Sequence, residues 1–586
     1  MKLLATLTSS FAILVSSFAT EPRPNIILIY TDDHGHADLG VNGAVKDIKT
    51  PHLDALARSG VVATHGYSTA PQCVPSRGGI LVGRFQGRFD LDNNGSSLDG
   101  FNKETTIATR LQNAGYATAQ FGKWHLGPTE AITKHGFKHV FSQNAQRPFS
   151  ANITLDGQDR PMSNLPPTEY HLDGCSKAAA AVIERYKDRP FFLYVAYRAP
   201  HTPLDAPQSY MDRFPGEMPE RRRAALAMLS AIDDGVGLIT STLKKHGLTE
   251  KTLIFFIGDN GAPLKIHKID SPLNGDAGGW DGSLNTPLNG EKGMLSEGGM
   301  STPFLIAWPG TIPGGQTYEH PVSALDFAAT ACEVASIGNR SGLEGINLLP
   351  YLTGENKATP HDALCWRWMA QSAIREGNWK LLRGGDREYL YDLATDREEK
   401  HNLAAKHPEI ATRLRTKLKT WADGLNPPGM ALGPMAATWN DYFDHYLEGK
   451  TKAPRVDAPA ATASETNGWE ARNGKLTAKD DLFILTPDKA DKPTFITKAK
   501  LKLAGPVTAK LTLKTTATGQ GAIAWRLDGD QDFLPANRLT FSLQATTDWQ
   551  THNLQIPTTG RVIHVRVHLP AGAAEFQGIE LKTTER

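Results

Sequence analysis

Acidic and amide side chains follow two apolar runs that are typical of buried strands. Asp32 and Asp33 come after "NIILIYT", and Asp259 and Asn260 come after "TLIFFIG". Ligands of open α/β sheets collect outside the carboxyl ends of the strands, so we expect these four side chains in one crevice. Carboxylates this close repel each other unless a cation lies between them, and hard oxygen donors favour Ca²⁺ or Mg²⁺. The alternative is that they are ordinary turn and cap residues.

Basic residues recur at comparable places in the sequence. Lys123 and His125 lie in "FGKWHLG", His201 lies in "YRAPHTP", and Lys292 lies in the glycine-rich stretch "NGEKGMLSEGG". Each one alone fits a solvated or structural residue. Together, beside a metal ion, they would supply the cationic donors that an anion with tetrahedral oxygens needs.

Cys73, in "APQCVPSRGGILVGR", needs a separate explanation. A nucleophilic thiolate requires a partner base and a lowered pKa, and it matches a hard cation poorly. A structural disulfide requires a partner, and none is obvious. The remaining cysteines, Cys175, Cys332 and Cys365, allow one bridge that the sequence does not choose. A simple packing role would not require Arg77 four residues later.

Composition limits the classes of function. The chain has 586 residues, 21% of them charged, and a formal net charge of +1, so binding of nucleic acid through bulk charge is not expected. The start, "MKLLATLTSSFAILVSSFAT", is typical of a cleavable signal peptide over residues 1–19 and indicates a secreted or periplasmic protein. The sequence has no later apolar run of about 20 residues, so stable membrane insertion is not expected.

The elements that must position these residues alternate between strand and helix patterns. Buried strands are predicted at 24–30, 61–67, 117–123, 190–197, 252–261 and 301–310. Helices are predicted at 50–60, where Thr50 would be the N-cap and Pro51 the first residue, at 105–115, and over "PERRRAALAMLSAIDDGVGLITSTLKKHG". This alternation predicts an α/β sandwich with a mostly parallel central sheet over residues 20–358.

The pattern of predicted elements changes after about residue 358. Antiparallel strands and the amphipathic helix "HPEIATRLRTKLKTWADGL" predict a small α+β subdomain at 359–449. Residues 450–468 have the composition of a linker. Alternating residues with glycine and aspartate turns predict an antiparallel β-sandwich at 469–586. Binding of glycan and a purely structural role both remain open for this β-sandwich.

The segment from Cys73 to Arg77 matches the C-x-P-S-R signature of the formylglycine-dependent (type I) sulfatases. The chain also resembles that family, in order and spacing, at "NIILIYTDDHG", "TPHLDALARSGV", "FGKWHLG", "APHTP", "GDNG", "EKGMLSEGG" and "LYDLATDREEKHNLA", over about residues 24–425. The resemblance implies the alkaline-phosphatase-like α/β fold. One departure is Ser301, which stands where the family often has arginine after its E-G-G-x motif.

The resemblance also implies the role of Cys73. In this family a formylglycine-generating or sulfatase-maturating enzyme oxidises the cysteine to 3-oxoalanine (formylglycine) while the chain is unfolded. The aldehyde hydrates to a geminal diol. One hydroxyl is the nucleophile, and the other later expels the sulfate.

Family roles transfer to matching positions of this sequence. The resemblance assigns the metal ligands, usually for calcium, to Asp32, Asp33, Asp259 and Asn260. It places modified Cys73 beside the ion. The other roles are as follows: Arg77 holds the diol, Lys123 and Lys292 bind sulfate oxygens, His201 protonates the leaving alcohol, and His125 takes a proton from the remaining hydroxyl.

Substrate choice depends on loops. Export favours a sulfated carbohydrate. In the Gly/Asn/Asp-rich stretch 262–291, Trp280 is a candidate for stacking on a sugar, with Asn274, Asp276 and Asp281 bonding hydroxyl groups; Asn274 and Asp276 lie outside the residues that the structure describes. The alternative is an ordinary surface loop with one buried tryptophan. The alternatives are a small aryl sulfate as substrate, a phosphonate or phosphate ester hydrolase of the same superfamily, and a non-catalytic glycan-binding protein.

Overall fold

The computed structural model describes residues 23–583, except 145–146, 156–157, 165–169, 267, 269, 271–272, 274–279, 431–434, 451–465, 467, 480–481, 488–493, 500, 529, 531–532 and 535. The chain divides into two compact units, Met1–Lys452 and Ala453–Arg586. The predicted signal peptide and most of the predicted linker lie outside the described residues. The predicted domain boundaries therefore stay predictions.

The first unit is built on a large mixed sheet. Its strands are β1 (Asn25–Asp32), β2 (Val61–Ala63), β4 (Ala117–Lys123), β5 (His139–Asn144), β6 (Arg147–Leu155), β7 (Gln158–Asn164), β8 (Phe191–Pro200), β9 (Thr252–Gly258), β10 (Phe304–Ala307) and β11 (Gln316–Tyr318). Their order is β11-β2-β10-β9-β1-β8-β4-β5-β6-β7, and the five strands from β9 to β5 are mutually parallel. The fold class is therefore α/β with a mostly parallel centre, as the sequence predicts.

Two details of this sheet differ from the prediction. The stretch 61–67 is broken into β2 and a separate short strand, β3 (Gly66–Tyr67), which pairs with β12 (Val322–Ser323) in a second sheet. Strand β10 runs antiparallel to β9. Every described residue of β1, β8 and β9 is buried, because helices cover both faces of a parallel sheet.

The helices of the first unit lie between and beside these strands. They are α1 (Pro51–Arg58), α2 (Cys73–Val82), α3 (Ile107–Asn113), α4 (His171–Tyr186), α5 (Gln208–Met211), α6 (Glu220–Lys245), α7 (Glu297–Met300), α8 (Asp326–Val334), α9 (Leu349–Leu352), α10 (Pro408–Ala422) and α11 (Ala437–Tyr446). Helix α6 is the one described helix that is long and apolar enough to cross a membrane, and 78% of its apolar window is buried inside the structure.

Helix α1 begins at Pro51 as predicted, but Thr50 does not cap it with its side chain. Thr50 Oγ1 donates instead to Asp54 Oδ1 at 3.0 Å. The first amides of the helix are satisfied by Asp233 of α6, whose Oδ1 accepts from His52 N at 3.1 Å and from Leu53 N at 2.8 Å. A carboxylate at a helix N-terminus also meets the positive end of the helix dipole.

A four-stranded antiparallel sheet completes the first unit. It contains β13 (Leu364–Trp368), β14 (Gln371–Glu376), β15 (Trp379–Gly384) and β16 (Arg387–Asp392), in that order. Helix α10 buries Ala411, Leu414 and Leu418 against one face of it. On the other side, the sheet shares a hydrophobic cluster with Tyr67 and Met294. The predicted α+β character of this region is confirmed.

A buried ion cluster links this small sheet to the loop that carries Lys292. Lys380 Nζ of β15 lies 2.8 Å from Glu297 Oε1 and 2.9 Å from Glu399 Oε1, and all three side chains are at most 1% exposed. Burial raises the pKa of Glu399 to about 7, whereas Lys380, acting against burial, lowers the pKa of Glu297 to about 2. The lysine therefore compensates carboxylates that water cannot reach.

We expect Lys380→Met to lower the free energy of unfolding by about 3–5 kcal/mol, because it removes the ammonium group that pairs directly with both buried carboxylates. Denaturant unfolding monitored by tryptophan fluorescence measures the change. The control is Lys417→Met, which removes a half-exposed lysine paired with Glu376 and should cost less than about 1 kcal/mol. Equal effects of the two substitutions would show that the buried cluster contributes no more than a surface pair.

The second unit is an antiparallel β-sandwich of two sheets. Its strands are β17 (Glu470–Arg472), β18 (Gly474–Lys479), β19 (Leu482–Pro487), β20 (Thr494–Lys498), β21 (Leu503–Ala504), β22 (Val507–Thr515), β23 (Gly519–Leu527), β24 (Arg538–Leu543), β25 (Gln550–Ile556), β26 (Arg561–Leu569) and β27 (Ala574–Thr583). The sheet orders are β17-β20-β26-β23-β24, with β21 also paired to β26, and β18-β19-β27-β22-β25. Inward residues such as Leu511, Trp525 and Val565 form its core.

All four cysteines lie in the described part of the chain, and all four are free thiols. The bridge that the sequence left open among Cys175, Cys332 and Cys365 is therefore not formed. Cys73 is fully buried, and its surroundings define the site described next.

Candidate active site

Four neighbouring strands end at the same edge of the central sheet. Asp32 is the last residue of β1 and Lys123 the last of β4, while His201 follows β8 and Asp259 follows β9. The register places Thr31 opposite Gly258 and Asp32 opposite Pro200, so the strand ends are level. This is the edge at which ligands of parallel sheets bind.

Helix α2 brings Cys73 to this edge. Cys73 is its first residue, and the next amide, Val74 N, donates to Asn94 Oδ1 at 3.0 Å. All residues of α2 are buried. Close packing requires Gly79, because a Cβ at this position would lie only 2.5 Å from Thr69 Oγ1.

Three carboxylates and the thiol converge. Cys73 Sγ lies 3.4 Å from Asp32 Oδ1 and 3.9 Å from Asp33 Oδ1. One ligand atom from each of Asp32, Asp33, Cys73 and Asp259 lies within 4.8 Å of every other. Asp33 has a left-handed backbone (φ 58°), and its amide donates to Asp259 Oδ1 at 3.0 Å, which holds this uncommon conformation.

Asn260 joins the same group through its side-chain amide. Its Nδ2 donates to Asp33 Oδ1 at 2.6 Å. Its Oδ1 is buried and has no hydrogen-bond donor among the residues that the structure describes. A buried acceptor without a donor costs free energy unless another group satisfies it, and a cation does so. The donor set of three carboxylates and this amide oxygen fits Ca²⁺ or Mg²⁺.

Three cationic side chains each pair with one of the carboxylates. Lys123 Nζ is 2.5 Å from Asp32 Oδ2, Lys292 Nζ is 2.7 Å from Asp33 Oδ1, and Arg77 Nη2 is 2.7 Å from Asp259 Oδ2. The protein charges of the site therefore cancel. A divalent cation added to this set would leave net positive charge facing an anionic ester.

The pKa values show how closely the charges are packed. Burial and then the Asp32 charge raise the pKa of Asp259 to about 7. Asp32 is also buried, but Lys123 leads the cations that hold its pKa well below the ordinary range. Burial raises the pKa of the Cys73 thiol although Lys123 and Lys292 oppose the rise. At neutral pH Cys73 is thus a thiol, and the unmodified side chain is a poor nucleophile.

Two histidines face the group. His201 Nδ1 lies 2.6 Å from Thr202 O, so the proton of the neutral ring is on Nδ1. The other ring nitrogen, Nε2, lies 3.7 Å from Asp33 Oδ2 and is free to accept or donate a proton. Burial and Lys123 lower the pKa of His201 to about 4 and that of His125 to about 2. His125 Nδ1 is buried without a hydrogen-bond partner in the described part of the chain. Both rings are therefore neutral at pH 7.

The structure thus brings together every catalytic and metal-binding candidate named from the sequence. Trp280 does not fit its predicted role. Its side chain is 5% exposed, packs against Ala262 and Leu264, and donates through Nε1 to Ser283 O at 2.7 Å. The ring therefore has no free face for a sugar, and we withdraw it as a stacking residue.

Two tyrosines support the site and were missed from the sequence. Arg77 lies over the ring of Tyr30, 5.4 Å from its centroid, and Nη1 donates to the Tyr194 hydroxyl at 3.4 Å. Both tyrosines lie inside apolar strand runs and so resemble core residues. A tyrosine in a strand that is buried on both faces needs a hydrogen-bond partner for its hydroxyl group. This need could have indicated from the sequence that the two tyrosines contact polar residues.

Ser301, where the family often has arginine, is reached by an arginine from elsewhere in the chain. Arg397 Nη2 lies 3.4 Å from Ser301 Oγ and also donates to Thr64 O. A guanidinium thus supports the end of the Lys292 loop although residue 301 does not supply it.

Comparisons with known proteins agree with the fold and the site. The sulfatase family model matches residues 24–337, and the model of the N-sulphoglucosamine sulphohydrolase C-terminal region matches 290–423. The sulfatase YdeN of Escherichia coli (strain K12) is 29% identical over 508 residues, 70% of this chain and 88% of that protein. N-acetylgalactosamine-6-sulfatase of Canis lupus familiaris is 31% identical over 408 residues, 64% of this chain and 74% of that protein.

Among solved structures, that of Ps i-CgsB in complex with k-i-k-neocarrahexaose is similar, with a TM-score of 0.60 and 29% identity over 74% of this chain and 99% of that one. The fold and the polar strand ends define an α/β protein with a ligand site at the carboxyl edge of its sheet, and its clustered basic residues suit an anionic ligand. The family match specifies the ester. The chain belongs to the type I sulfatase family, and it is a sulfuric ester hydrolase.

Proposed function

We propose that this chain hydrolyses sulfate esters of a carbohydrate, with Cys73 oxidised to formylglycine beside a divalent cation. The observation that carries the proposal is the position of Cys73 Sγ, 3.4 Å from Asp32 Oδ1 and inside the group of carboxylates. The carbohydrate part is supported by the names of two similar proteins, a sulfatase for an N-acetylgalactosamine sulfate and an enzyme crystallised with a neocarrahexaose.

Asp32, Asp33, Asp259 and Asn260 would hold the cation, with Ca²⁺ favoured and Mg²⁺ as the alternative. When bound, the cation supplies Lewis-acid polarisation of the sulfate and of the attacking hydroxyl. The oxidised, hydrated Cys73 supplies a nucleophilic hydroxyl and a second hydroxyl through which sulfate is released.

The remaining side chains bind charge and move protons. Lys123 and Lys292 direct ammonium groups at the sulfate oxygens, where charge grows as the bridging S–O bond breaks. Arg77, held by Asp259 and the two tyrosines, fixes the modified residue. His201 Nε2 protonates the leaving alcohol, and the anionic ester raises the pKa of this ring when it binds. The deeply buried His125 accepts a proton from the remaining hydroxyl.

Burial also supports the timing of the modification. The Cys73 side chain is 0% exposed in the folded chain, so a maturing enzyme has to reach it before folding is complete. The proposed export of the protein rests on residues 1–19, which lie outside the described residues.

The test of substrate class is a set of parallel assays at one pH. We expect release of sulfate from sulfated oligosaccharides with kcat/KM at least about 10-fold above that for 4-nitrophenyl sulfate, because sugar contacts add binding energy in the transition state. 4-Nitrophenyl phosphate and a phosphonate monoester serve as controls. Turnover of aryl sulfate alone would refute the carbohydrate assignment, and a preference for the phosphorus esters would refute the sulfatase mechanism.

A further inference from the structure

Lys265 and Asp281, both in the stretch between Asn260 and Lys292, form an ion pair. Lys265 Nζ is 3.1 Å from Asp281 Oδ1. Asp281 is 3% exposed, whereas the Lys265 side chain is 35% exposed. The Asp281 carboxylate is therefore enclosed by protein, whereas the Lys265 side chain is partly in contact with solvent.

Buried arginines of α6 hold the backbone on both sides of Asp281. Arg221 Nη1 donates to Trp280 O at 3.0 Å, and Arg222 Nη1 donates to Gly282 O at 3.0 Å. The next residue, Ser283, accepts from the amide of Gly35, two positions after Asp33, at 3.0 Å. Asp281 is thus preorganised and tied to the loop that carries the site.

Lys265 is held from the other direction by Glu291, the neighbour of Lys292. Glu291 Oε2 accepts from Lys265 N at 2.6 Å, and Oε1 accepts from Ile266 N at 2.9 Å. Lys265 and Ile266 both have left-handed backbones, with φ of 51° and 55°, which these bonds stabilise. Glu291, which stabilises this turn, is therefore also the direct neighbour of Lys292, the lysine proposed to bind sulfate.

The pair is close enough to the site to sense its charges. Burial raises the pKa of Asp281 to about 6, Lys265 opposes the rise, and more weakly Asp33 raises it and Lys292 lowers it. The pair itself is electrically neutral, so it does not attract a second sulfate. Asp281 Oδ1 is enclosed, so the Lys265 ammonium is the group that a ligand can reach, and it can donate to the oxygen of a neutral hydroxyl group.

We propose that Lys265, positioned by the buried Asp281, donates a hydrogen bond to a hydroxyl group of the sugar ring that carries the reacting sulfate. The inference rests on the proposed carbohydrate specificity. Recognition by a positioned ammonium group discriminates between substrates, since a substrate without the hydroxyl does not make this hydrogen bond. An aryl sulfate has no such hydroxyl and gains nothing from the pair.

The test compares two substrates in each variant. In Lys265→Met and in Asp281→Asn we expect kcat/KM for the sulfated oligosaccharide to fall about 30-fold more than kcat/KM for 4-nitrophenyl sulfate, the loss that follows from one charged hydrogen bond. Lys265→Met removes a partly exposed amine and keeps most of the side-chain volume, so folding should persist. The matched control is Lys268→Met, an exposed lysine three residues later, which should leave both substrates unchanged.

The outcomes separate the two proposals. Equal losses on both substrates, or none, would overturn the role of the pair and leave the sulfatase mechanism intact. A loss confined to oligosaccharides that carry an additional sulfate would assign the pair to an anion and overturn the hydroxyl assignment. A wild-type protein that cleaves only aryl sulfate would overturn both the inference and the carbohydrate specificity.

Discussion

Cys73→Ala is expected to lower kcat for sulfate ester hydrolysis by at least about 10⁴-fold, the scale of loss seen when a covalent nucleophile is removed. The structure gives the reason. Among the residues that the structure describes, Cys73 is the cysteine that lies within the group of Asp32, Asp33 and Asp259. The thermal midpoint of the variant should stay close to that of the wild type, because alanine removes one sulfur atom that donates only a weak hydrogen bond.

The same prediction has a direct chemical readout. The tryptic peptide that contains Cys73 should be lighter than its cysteine form by roughly 18 Da in active preparations, as conversion to the aldehyde requires. Specific activity should scale with the modified fraction. Cys365→Ala, at a partly exposed position on β13, is the matched control and should keep full activity. Full activity in a preparation whose Cys73 is entirely unmodified would overturn the formylglycine mechanism.

Removal of divalent cations is expected to have an effect of similar size. A chelator should lower kcat/KM by about 10³-fold or more, because the Lewis acid contributes several kcal/mol to the transition state. It should also lower the thermal midpoint. A ligand that binds only the native state adds about 2.7 kcal/mol when present at 100 times its Kd, so the midpoint should rise with the logarithm of the Ca²⁺ concentration above Kd.

Two variants locate this effect. Asp259→Asn should abolish the rise of the midpoint with Ca²⁺, since it removes one charged ligand and preserves shape. Asp234→Asn is the control, because Asp234 belongs to a different acidic group with His52 and Asp233. If Ca²⁺ stabilises the Asp259→Asn protein as much as the wild type, the ion binds elsewhere and the proposed metal site is wrong.

Much of the site was predictable because it depends on topology. Parallel strands end at one edge, so residues after β1, β8 and β9 had to meet, and the sequence shows those strands clearly. The direction of β10 could not be predicted from the sequence, because a short apolar run has the same pattern whether the strand is parallel or antiparallel to its neighbour. The hairpin β6–β7 was missed although β6, "RPFSANITL", alternates apolar and polar residues from Phe149 to Leu155, because its partner "QDRPMSN" lacks this alternation.

Contacts made by loops were not predictable. Lys265 and Asp281 lie in a stretch rich in glycine and asparagine that has no periodicity, and their meeting depends on carbonyl contacts from Arg221 and Arg222 of a distant helix. The same stretch misled the interpretation of Trp280, since an aromatic residue between glycines looks exposed. Its neighbours Ala262 and Leu264, which cover the ring, are separated from it by that loop.

The Asp233 contact with α1 has a consequence for the order in which the chain acquires structure. The acceptor for Leu53 N is 180 residues away in sequence, so a nascent chain that has not yet reached α6 cannot complete this helix end. An isolated eight-residue helix is marginal in water. We therefore expect the first α-helix after β1 to gain full stability only after α6, encoded much later in the sequence, docks against it.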